Sequence, residues 1–255
     1  MSGALAVLNY NLVGYRRTWR GSALTSFVLP VLFVLGFGVG VGSLVKTQQL
    51  GGGSYLAYLV PGMIASTAMQ VAFGESTWPI QTKFTWVRTY HAMIAAPLAI
   101  RDLVFGDMTF LVLRVVSSSA VFLFVTSLFG AVHSWWAIGV LPACGLLGVA
   151  IAAPVFAFTA TMDSSTNYFA FLQRFIVIPM SLFAGVFYPI SKLPAFLQPL
   201  AWASPLWHAV EICRAATHAD HGSLWALLGH VAYLLLWAVV GLWLALRQYR
   251  RRLSD

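Results

Sequence analysis

Charged side chains inside long apolar stretches are the first feature of this sequence that could do chemistry. They are Glu75, Arg114 and Arg174. A charge at the centre of a membrane costs roughly 2.5 to 3.5 kcal/mol on insertion scales, so such a residue is paired or faces protein or water. At about 1.5 Å per residue, all three lie in the inner half of their predicted helices. We interpret them as a functional site or as salt bridges that fix helix packing, and we expect Glu75 and Arg174, the closest in depth, to pair.

A second group of polar residues follows at a spacing of three: His208, Glu211 and Arg214. This spacing places them on one face of a helix. His208 and Glu211 are also the nearest match to a zinc motif, but no third ligand stands beside them, so we expect no metal. A Glu–Arg pair at this spacing contributes only about 0.2 to 0.5 kcal/mol in water. Structural bracing and catalysis both stay open for this group.

Nucleotide, protease and redox motifs are absent from the sequence. A P-loop needs a Gly-Lys-Ser/Thr unit to hold phosphates, and no lysine in this chain follows a glycine. The Gly-rich stretches GVGVGSLV and GGGSY do not fit the G-x-S-x-G motif of a serine nucleophile. Cys144 and Cys213 do not form a C-x-x-C pattern. We therefore expect a non-catalytic chain that holds no cofactor of its own.

The composition places the chain in a membrane. It is 60% hydrophobic and only 9% charged, whereas a soluble domain carries roughly 25% charged residues. A helix needs about 20 apolar residues to cross a bilayer, and several runs reach that length, so we predict an all-α polytopic membrane protein. The formal net charge of +8 reflects topology, since cytoplasmic loops collect Lys and Arg. No stretch is basic and exposed enough to bind nucleic acid.

Six transmembrane helices are predicted within a single domain that covers residues 1–255. Spans one to five, within residues 23–188, have the approximate ranges 23–45, 56–79, 104–130, 135–161 and 167–188. Span six covers approximately 224–246. Residues 1–22 have apolar residues at steps of three and four and end in arginines, which indicates an amphipathic helix in the interface plane rather than a frayed tail. Residues 189–220 are apolar but carry four prolines, which predicts short re-entrant helices shielded by protein. Residues 247–255 form a basic tail.

The basic residues set the orientation of the spans. Ten lysines and arginines, including Arg16 and Lys83, fall on one side of the predicted membrane, three on the other and two within spans. Because the richer side is cytoplasmic, we predict that residues 80–102 are cytoplasmic and that residues 189–220 are external. Both termini are cytoplasmic, as an even number of spans requires.

The cytoplasmic stretch FTWVRTYHAMIAAPLAIRD, residues 84–102, interrupts an otherwise apolar chain. Its apolar residues recur at helical spacing and form one stripe: Trp86, Tyr90, Met93 or Ile94, and Pro97. Arg88 and His91 lie off this stripe. In a membrane protein, a short amphipathic helix that projects into the cytoplasm is a docking surface for a soluble partner.

Four motifs resemble those of a known family. They are YRRTWRG before the first span, PGMIASTAMQ with ESTWP in the second, RTYHAMIAAPLAIRD, and PLAWASPLWHAVEICRA. These motifs are similar to those of the permease subunits of type-2 ATP-binding-cassette exporters. The likeness follows the motif order over essentially the whole chain, and it is closest to the nodulation protein J branch, which is associated with lipooligosaccharide export. Related permeases are assigned to drugs, polysaccharides and glycolipids.

The resemblance implies a multi-pass subunit of the bacterial plasma (inner) membrane that works with a separate ATPase, which binds ATP and Mg. The loop after span two would carry a coupling helix, residues 86–97, that sits in a groove of that ATPase. The residues near this contact would be Arg88, Tyr90, His91, Met93 and Pro97. Six spans make half a pore, so a second permease copy, or a homologous permease, would complete a pathway bordered by membrane lipids.

A pathway between two permeases, with openings toward lipid, suits an amphiphile. The candidate lining residues are Ser66, Thr67 and Gln70 of span two and Phe171 and Phe175 of span five. We therefore expect a glycolipid, a lipooligosaccharide or a hydrophobic drug to be moved outward, with helix packing as the alternative role of these residues. The alternative function is a membrane enzyme or assembly scaffold that acts on lipid-linked sugars at the outer face through His208 and Glu211.

Overall fold

Long α-helices form the framework of the protein, as its apolar runs predict. The computed structural model describes residues 3–33, 35–36, 55–96, 98–130, 135–162, 167–217 and 223–254. Its α-helices are α1 Gly3–Phe33, α2 Tyr55–Ser76, α3 Trp78–Phe84, α4 Thr89–Ala95, α5 Ile100–Leu128, α6 Val140–Thr161, α7 Asn167–Leu172, α8 Ile178–Phe183, α9 Gln198–Trp202, α10 Pro205–Thr217 and α11 Leu224–Ser254. Short 3₁₀ turns lie at Trp135–Gly139 and Ile190–Lys192, and a π-helical segment, Gln173–Val177, joins α7 to α8. The all-α prediction is confirmed for these residues.

Four segments of the described chain are long and apolar enough to cross a membrane: Tyr55–Phe84, Ile100–Leu128, Trp135–Thr161 and Leu224–Ser254. They cover the predicted spans two, three, four and six, with ends that differ by several residues. The predicted first span is helical as far as Phe33, and residues 37–54 lie outside the described residues. The protein is therefore a multi-pass helical membrane protein, and the count of six spans stays a prediction.

The predicted fifth span, residues 167–188, is shorter than expected. Its apolar helical segment covers Asn167–Phe183, which is roughly 25 Å long at about 1.5 Å per residue. It ends there because Gly185 takes a left-handed backbone conformation with φ at 78°, and a glycine in this conformation is a common way to terminate a helix.

The N-terminal segment is continuous with the helix that follows it. The sequence pattern predicts a boundary at residue 22, but α1 runs without a break from Gly3 to Phe33. Its first half packs along α5 in the same direction: Gly106 of α5 faces Val7, and a Cβ atom at Gly106 would lie 2.6 Å from the Cβ of Val7. The helix therefore continues through residue 22, and the placement of residues 1–22 in the interface plane stays a prediction.

Helix α6 lies at the centre of the bundle and packs against α2, α5, α10 and α11. Small residues allow the close approach. A Cβ atom at Gly241 of α11 would lie 2.6 Å from Cδ of Pro154, and one at Gly148 would lie 3.2 Å from a methyl group of Val115. Within lipid, close packing of small residues replaces the hydrophobic drive that joins helices in water.

Residues 189–217 form short helices, as their prolines predict. The longest of them, α10, packs against α2, α6 and α11. Leu206, Val210 and Cys213 of α10 are fully buried. Protein therefore surrounds this helix, which is the condition that a re-entrant helix must meet within a membrane.

Candidate functional site

Helix α4 forms the insert between the second and third predicted spans. Arg88 precedes it with a left-handed backbone, φ 51°, which turns the chain sharply after α3. The helix ends before Ala96, whose backbone is extended, the conformation that a following proline favours. The helix predicted over residues 86–97 is thus the shorter Thr89–Ala95, and Pro97 lies outside the described residues.

The apolar side of α4 is turned into the protein. Tyr90 is fully buried, while Met93 and Ile94 are partly buried and pack against the core. The exposed residues in and before this helix are Trp86, Val87, Arg88, His91, Ala92 and Ala95. Of the residues predicted at an ATPase contact, Arg88 and His91 therefore face outward. Tyr90 does not, because its ring is part of the core that holds the helix in place.

A buried polar cluster lies beneath α4. Its centre is Asp107 of α5, which is 2% exposed. Asp107 accepts hydrogen bonds from Nζ of Lys83 at 2.5 Å, from Nδ2 of Asn11 at 2.6 Å and from the phenol of Tyr90. Lys83 also donates to Oδ1 of Asn11 at 2.8 Å. One carboxylate, neutralised by one ammonium group, thus joins α1, α3, α4 and α5.

Aromatic rings extend this cluster to the last helix. The ring centroid of Phe84 lies 4.7 Å from that of Tyr90 and 4.8 Å from that of Tyr249 on α11. Arg252 lies over the ring of Phe84 at 4.4 Å and donates to a backbone carbonyl at the end of α6, 3.0 Å away. Burial and, after it, the charge of Asp107 raise the pKa of Tyr90 well above its ordinary value. Its phenol therefore stays protonated and keeps donating near neutral pH.

The charged residues inside the bundle pair differently from the prediction. Oε1 of Glu75 on α2 lies 3.0 Å from Nε of Arg114 on α5. Arg114 also donates to the phenolic oxygen of Tyr15 at 2.7 Å and lies over its ring, 4.4 Å from the centroid. Arg174 is exposed. The expected pair of Glu75 and Arg174 is wrong, because similar depth does not place two residues on facing sides of neighbouring helices.

Most of the predicted pathway residues are at least partly exposed. Gln70, Phe171 and Phe175 are exposed, and Thr67 is half-buried. The rings of Phe171 and Phe175 lie side by side with centroids 4.6 Å apart. Ser66, in contrast, is buried, and its Oγ lies 3.3 Å from Oγ of Ser181 on α8. Within one protomer Ser66 therefore joins two helices instead of lining a surface.

The predicted polar face of α10 ties this helix to its neighbours. Arg214 donates to Oε1 of Glu211 at 3.0 Å and to the backbone carbonyl of Gly185 at 2.5 Å. Its guanidinium also lies over the ring of Tyr58 on α2, 4.1 Å from the centroid. These contacts fix α10 against α2 and the end of the fifth apolar segment.

His208 contacts a second histidine. Its Nδ1 lies 2.8 Å from Nδ1 of His230 on α11, and its Nε2 lies 3.0 Å from the carbonyl oxygen of Trp202. A carbonyl only accepts, so Nε2 carries a hydrogen, and the neutral ring accepts at Nδ1 from His230. Tyr233 stacks on the same ring, with centroids 3.8 Å apart. Both ring nitrogens are engaged, which supports bracing and not catalysis.

Asp107, Lys83 and His230 are site residues that the sequence prediction missed. Asp107 lies inside a predicted span, so the rule that identified Glu75 as costly within a membrane applies to it as well. In the sequence, Lys83 indicates only which side of the membrane is cytoplasmic. His230 stands alone on an apolar helix, 22 residues from His208, and no local pattern connects the two.

The structure is thus a helical membrane bundle in which a short helix, α4, packs over a buried carboxylate. Residues 3–218 match the family model described as ABC-2 type transporter. The chain therefore belongs to the ABC-2 family and is an ATP-binding-cassette transporter membrane subunit.

Individual relatives agree with this assignment. The chain is 28% identical over 249 residues to Nodulation protein J of Rhizobium leguminosarum bv. viciae, covering 98% of this chain and 94% of the relative. It is also 28% identical over 249 residues to Nodulation protein J of Sinorhizobium fredii (strain NBRC 101917 / NGR234), covering 98% and 93%. The Inner membrane transport permease YadH of Escherichia coli (strain K12) is 22% identical over 206 residues, covering 77% and 75%.

Proposed function

We propose that this chain is the membrane-spanning subunit of an ATP-driven exporter that moves an amphiphile outward across the bacterial inner membrane. ATP and Mg²⁺ are bound by a separate ATPase subunit. The main support for this proposal is the position of α4 in a chain of the ABC-2 family. Asp107 holds the buried side of this helix, and the other side is exposed.

The exposed side of α4 is the proposed contact with the ATPase. Arg88 and His91 supply polar groups, and the small side chains of Ala92 and Ala95 let another surface approach closely. Tyr90 and Met93 act from within by holding the helix, and Pro97 belongs to the same contact region. A push on α4 is transmitted to the spans because Tyr90 and Asp107 are hydrogen-bonded.

The proposed pathway runs along the exposed surface of α2 and α7, where a second permease, identical or homologous, would close it. Gln70 and Thr67 offer hydrogen bonds without fixed charge, which suits a sugar headgroup. Phe171 and Phe175 are 55% and 65% exposed, and their broad apolar surface suits an acyl chain. A glycolipid or lipooligosaccharide is therefore the first proposed substrate and a hydrophobic drug the second.

The proposed topology has six spans with both termini in the cytoplasm. The bias of basic residues supports this orientation. The short helices of residues 189–217 would then lie at the outer end of the pathway and cap it, which favours export. In the same orientation α4 faces the cytoplasm, where ATP is available.

The ATPase contact is tested by placing a charge on the exposed side of α4. The permease is co-expressed with its partner ATP-binding-cassette ATPase. Ala92→Asp should weaken co-purification of the ATPase, because the carboxylate would be desolvated in the contact. Ala195→Asp, an exposed alanine of the predicted external segment, is the matched control and should retain the complex. Undiminished complex and normal coupled ATPase activity in Ala92→Asp would contradict the docking assignment.

The substrate class is tested in inside-out vesicles that carry the permease and its ATPase. We expect ATP-dependent accumulation of a fluorescent glycolipid, reduced by Gln70→Leu, which removes a hydrogen-bonding group from the exposed surface of α2. Leu128→Gln, at an exposed position at the C-terminal end of α5, should not reduce this accumulation. Movement of only small hydrophilic solutes or ions would overturn the amphiphile assignment.

A further inference from the structure

A cavity of about 490 Å³ lies between the first half of α1 and the helices α2 and α5. It is separate from the exposed surface of Gln70 and Phe175. Residues of all three helices line it, among them Tyr10, Gly14 and Arg17 of α1, Glu75 of α2, and Phe110 and Arg114 of α5. A space of this size is in the range that small-molecule sites occupy, about 300 to 1,000 Å³.

The polar part of the cavity is preorganised. Arg114 is held by Glu75 at 3.0 Å and by the phenolic oxygen of Tyr15 at 2.7 Å. Its side chain is 16% exposed and that of Glu75 is 22% exposed, so both groups remain accessible from the cavity. Because three helices fix this guanidinium, a ligand that meets it does not have to order the side chain.

The charge and shape of the lining favour an anionic amphiphile. The charged residues of the lining are two arginines, Arg17 and Arg114, and one glutamate, Glu75, so the lining carries a net positive charge. Val13 and Phe110 supply apolar surface on the same walls. Arg17 is exposed, and Arg16 and Arg20 lie near it on the same helix. Positive charge beside apolar surface matches a lipid, whose headgroup is charged and whose chains are not.

The depth of the cavity agrees with this chemistry. Helices α1 and α5 run in the same direction, and in the proposed orientation both begin at the cytoplasmic side. The cavity then lies at the level of the inner leaflet, which carries the anionic lipids, and basic pockets between helices on that side bind anionic headgroups. We infer that this cavity binds the phosphate-bearing headgroup of an anionic lipid of the inner leaflet.

Gly14 provides a sharp test because it lines the cavity and a Cβ atom there would meet nothing within 4 Å. Gly14→Leu should fill the cavity without disturbing the helix, which a leucine favours over a glycine. Gly21→Leu is the matched control: it is an exposed glycine of the same helix, also with nothing within 4 Å, and it lies outside the lining. Arg17→Gln removes the exposed charge and leaves the volume.

The full-length permease is purified in nanodiscs of phosphatidylcholine with or without phosphatidylglycerol, and retained lipids are counted by native mass spectrometry. We expect one phosphatidylglycerol retained by the unaltered protein and by Gly21→Leu, none by Gly14→Leu, and roughly tenfold weaker retention by Arg17→Gln. Equal retention in Gly14→Leu, or equal retention of phosphatidylcholine, would overturn the inference. The measurement needs neither ATPase nor transport, so its failure is distinct from failure of the proposed function.

The headgroup could belong to a resident membrane phospholipid or to the transported amphiphile. Transport measured in the same variants distinguishes these two sources. If Gly14→Leu loses the lipid but still accumulates substrate in vesicles, the site holds a resident membrane phospholipid. If lipid and transport are lost together while Gly21→Leu keeps both, the site receives the transported amphiphile. Either outcome supports an anionic headgroup in this cavity.

Discussion

Tyr90 of α4 donates its phenolic hydrogen to Oδ2 of Asp107 on α5, although both side chains are almost completely removed from solvent. The two residues are 17 positions apart and lie on either side of the break between α4 and α5. A helix of seven residues, such as α4, is too short to be stable alone. This hydrogen bond and the surrounding rings therefore give α4 its fixed position, and they connect α4 with the first turns of the long helix α5.

Removal of the Asp107 carboxylate is expected to destabilise the protein strongly. Asp107→Ala would leave the ammonium of Lys83 and the phenol of Tyr90 without their acceptor, at a cost of about 3 kcal/mol. Asp102→Ala is the control, since Asp102 accepts from the backbone N–H of Ala99 at 3.1 Å at the start of α5, a capping contact worth about 1 kcal/mol. Thermal unfolding of both variants in detergent gives the comparison. Similar melting temperatures would show that Asp107 is not the centre of the cluster.

The pair of Glu75 and Arg114 is expected to show energetic coupling. Glu75→Gln and Arg114→Gln each leave one charge without its partner, so the double variant should lose less stability than the two single losses combined. We expect a coupling of about 1 kcal/mol, within the usual range for contacting residues. The same cycle between Glu75→Gln and Arg174→Gln should be additive, because these residues do not meet. Coupling in the second cycle and none in the first would reverse the assignment.

Much of the helical framework follows from local signals, but the pairing of its charges does not. Apolar runs and prolines placed the long helices and the short helices of residues 189–217, because both signals act within a few residues. The partner of Glu75 depends on how α2 and α5 are rotated about their own axes, and depth along a helix carries no information about rotation. The same limit explains Tyr90. The sequence shows that Tyr90 belongs to an apolar stripe of the helix, but it does not show that this stripe faces the core of the protein.

Topology is expected to appear in labelling with a membrane-impermeant maleimide. The native thiols of Cys144 and Cys213 are buried, so the unaltered protein should remain unlabelled in intact cells. Ser191→Cys, at an exposed position of the predicted external segment, should be labelled from outside. Val87→Cys, 65% exposed in the natural protein, should be labelled only after the membrane is permeabilised. The reverse pattern would invert the proposed orientation.

Acid is expected to loosen the contact between α10 and α11. Burial, followed by the neighbouring His230, lowers the pKa of His208 from its ordinary 6.5 to about 4. Groups facing this pair are Tyr233 on α11, Glu211 on α10 and the Trp202 carbonyl on α9. Between those pH values the unfolded chain binds more protons than the folded one, so the contribution of His208 to stability is lost as the pH falls from 6.5 toward 4.

Thermal unfolding measured between neutral pH and pH 4.5, roughly the acid end of that interval, checks this expectation. The melting temperature should fall less steeply with acid in His208→Gln than in the unaltered protein. His91→Gln, on the exposed side of α4, should follow the unaltered protein. An unchanged profile in His208→Gln would mean that other groups determine the acid sensitivity.

The length of α11 has a consequence for how the protein is made. Its 31 residues extend over about 46 Å, more than the roughly 30 Å of a bilayer core, and its last turns bring Tyr249 and Arg252 against Phe84. These residues are synthesised long after α4 itself. Part of the support beneath α4 is therefore added only after the intervening helices, and a chain truncated before the last turns of α11 would hold α4 less firmly. The position of α4 thus depends on whether the whole bundle has formed.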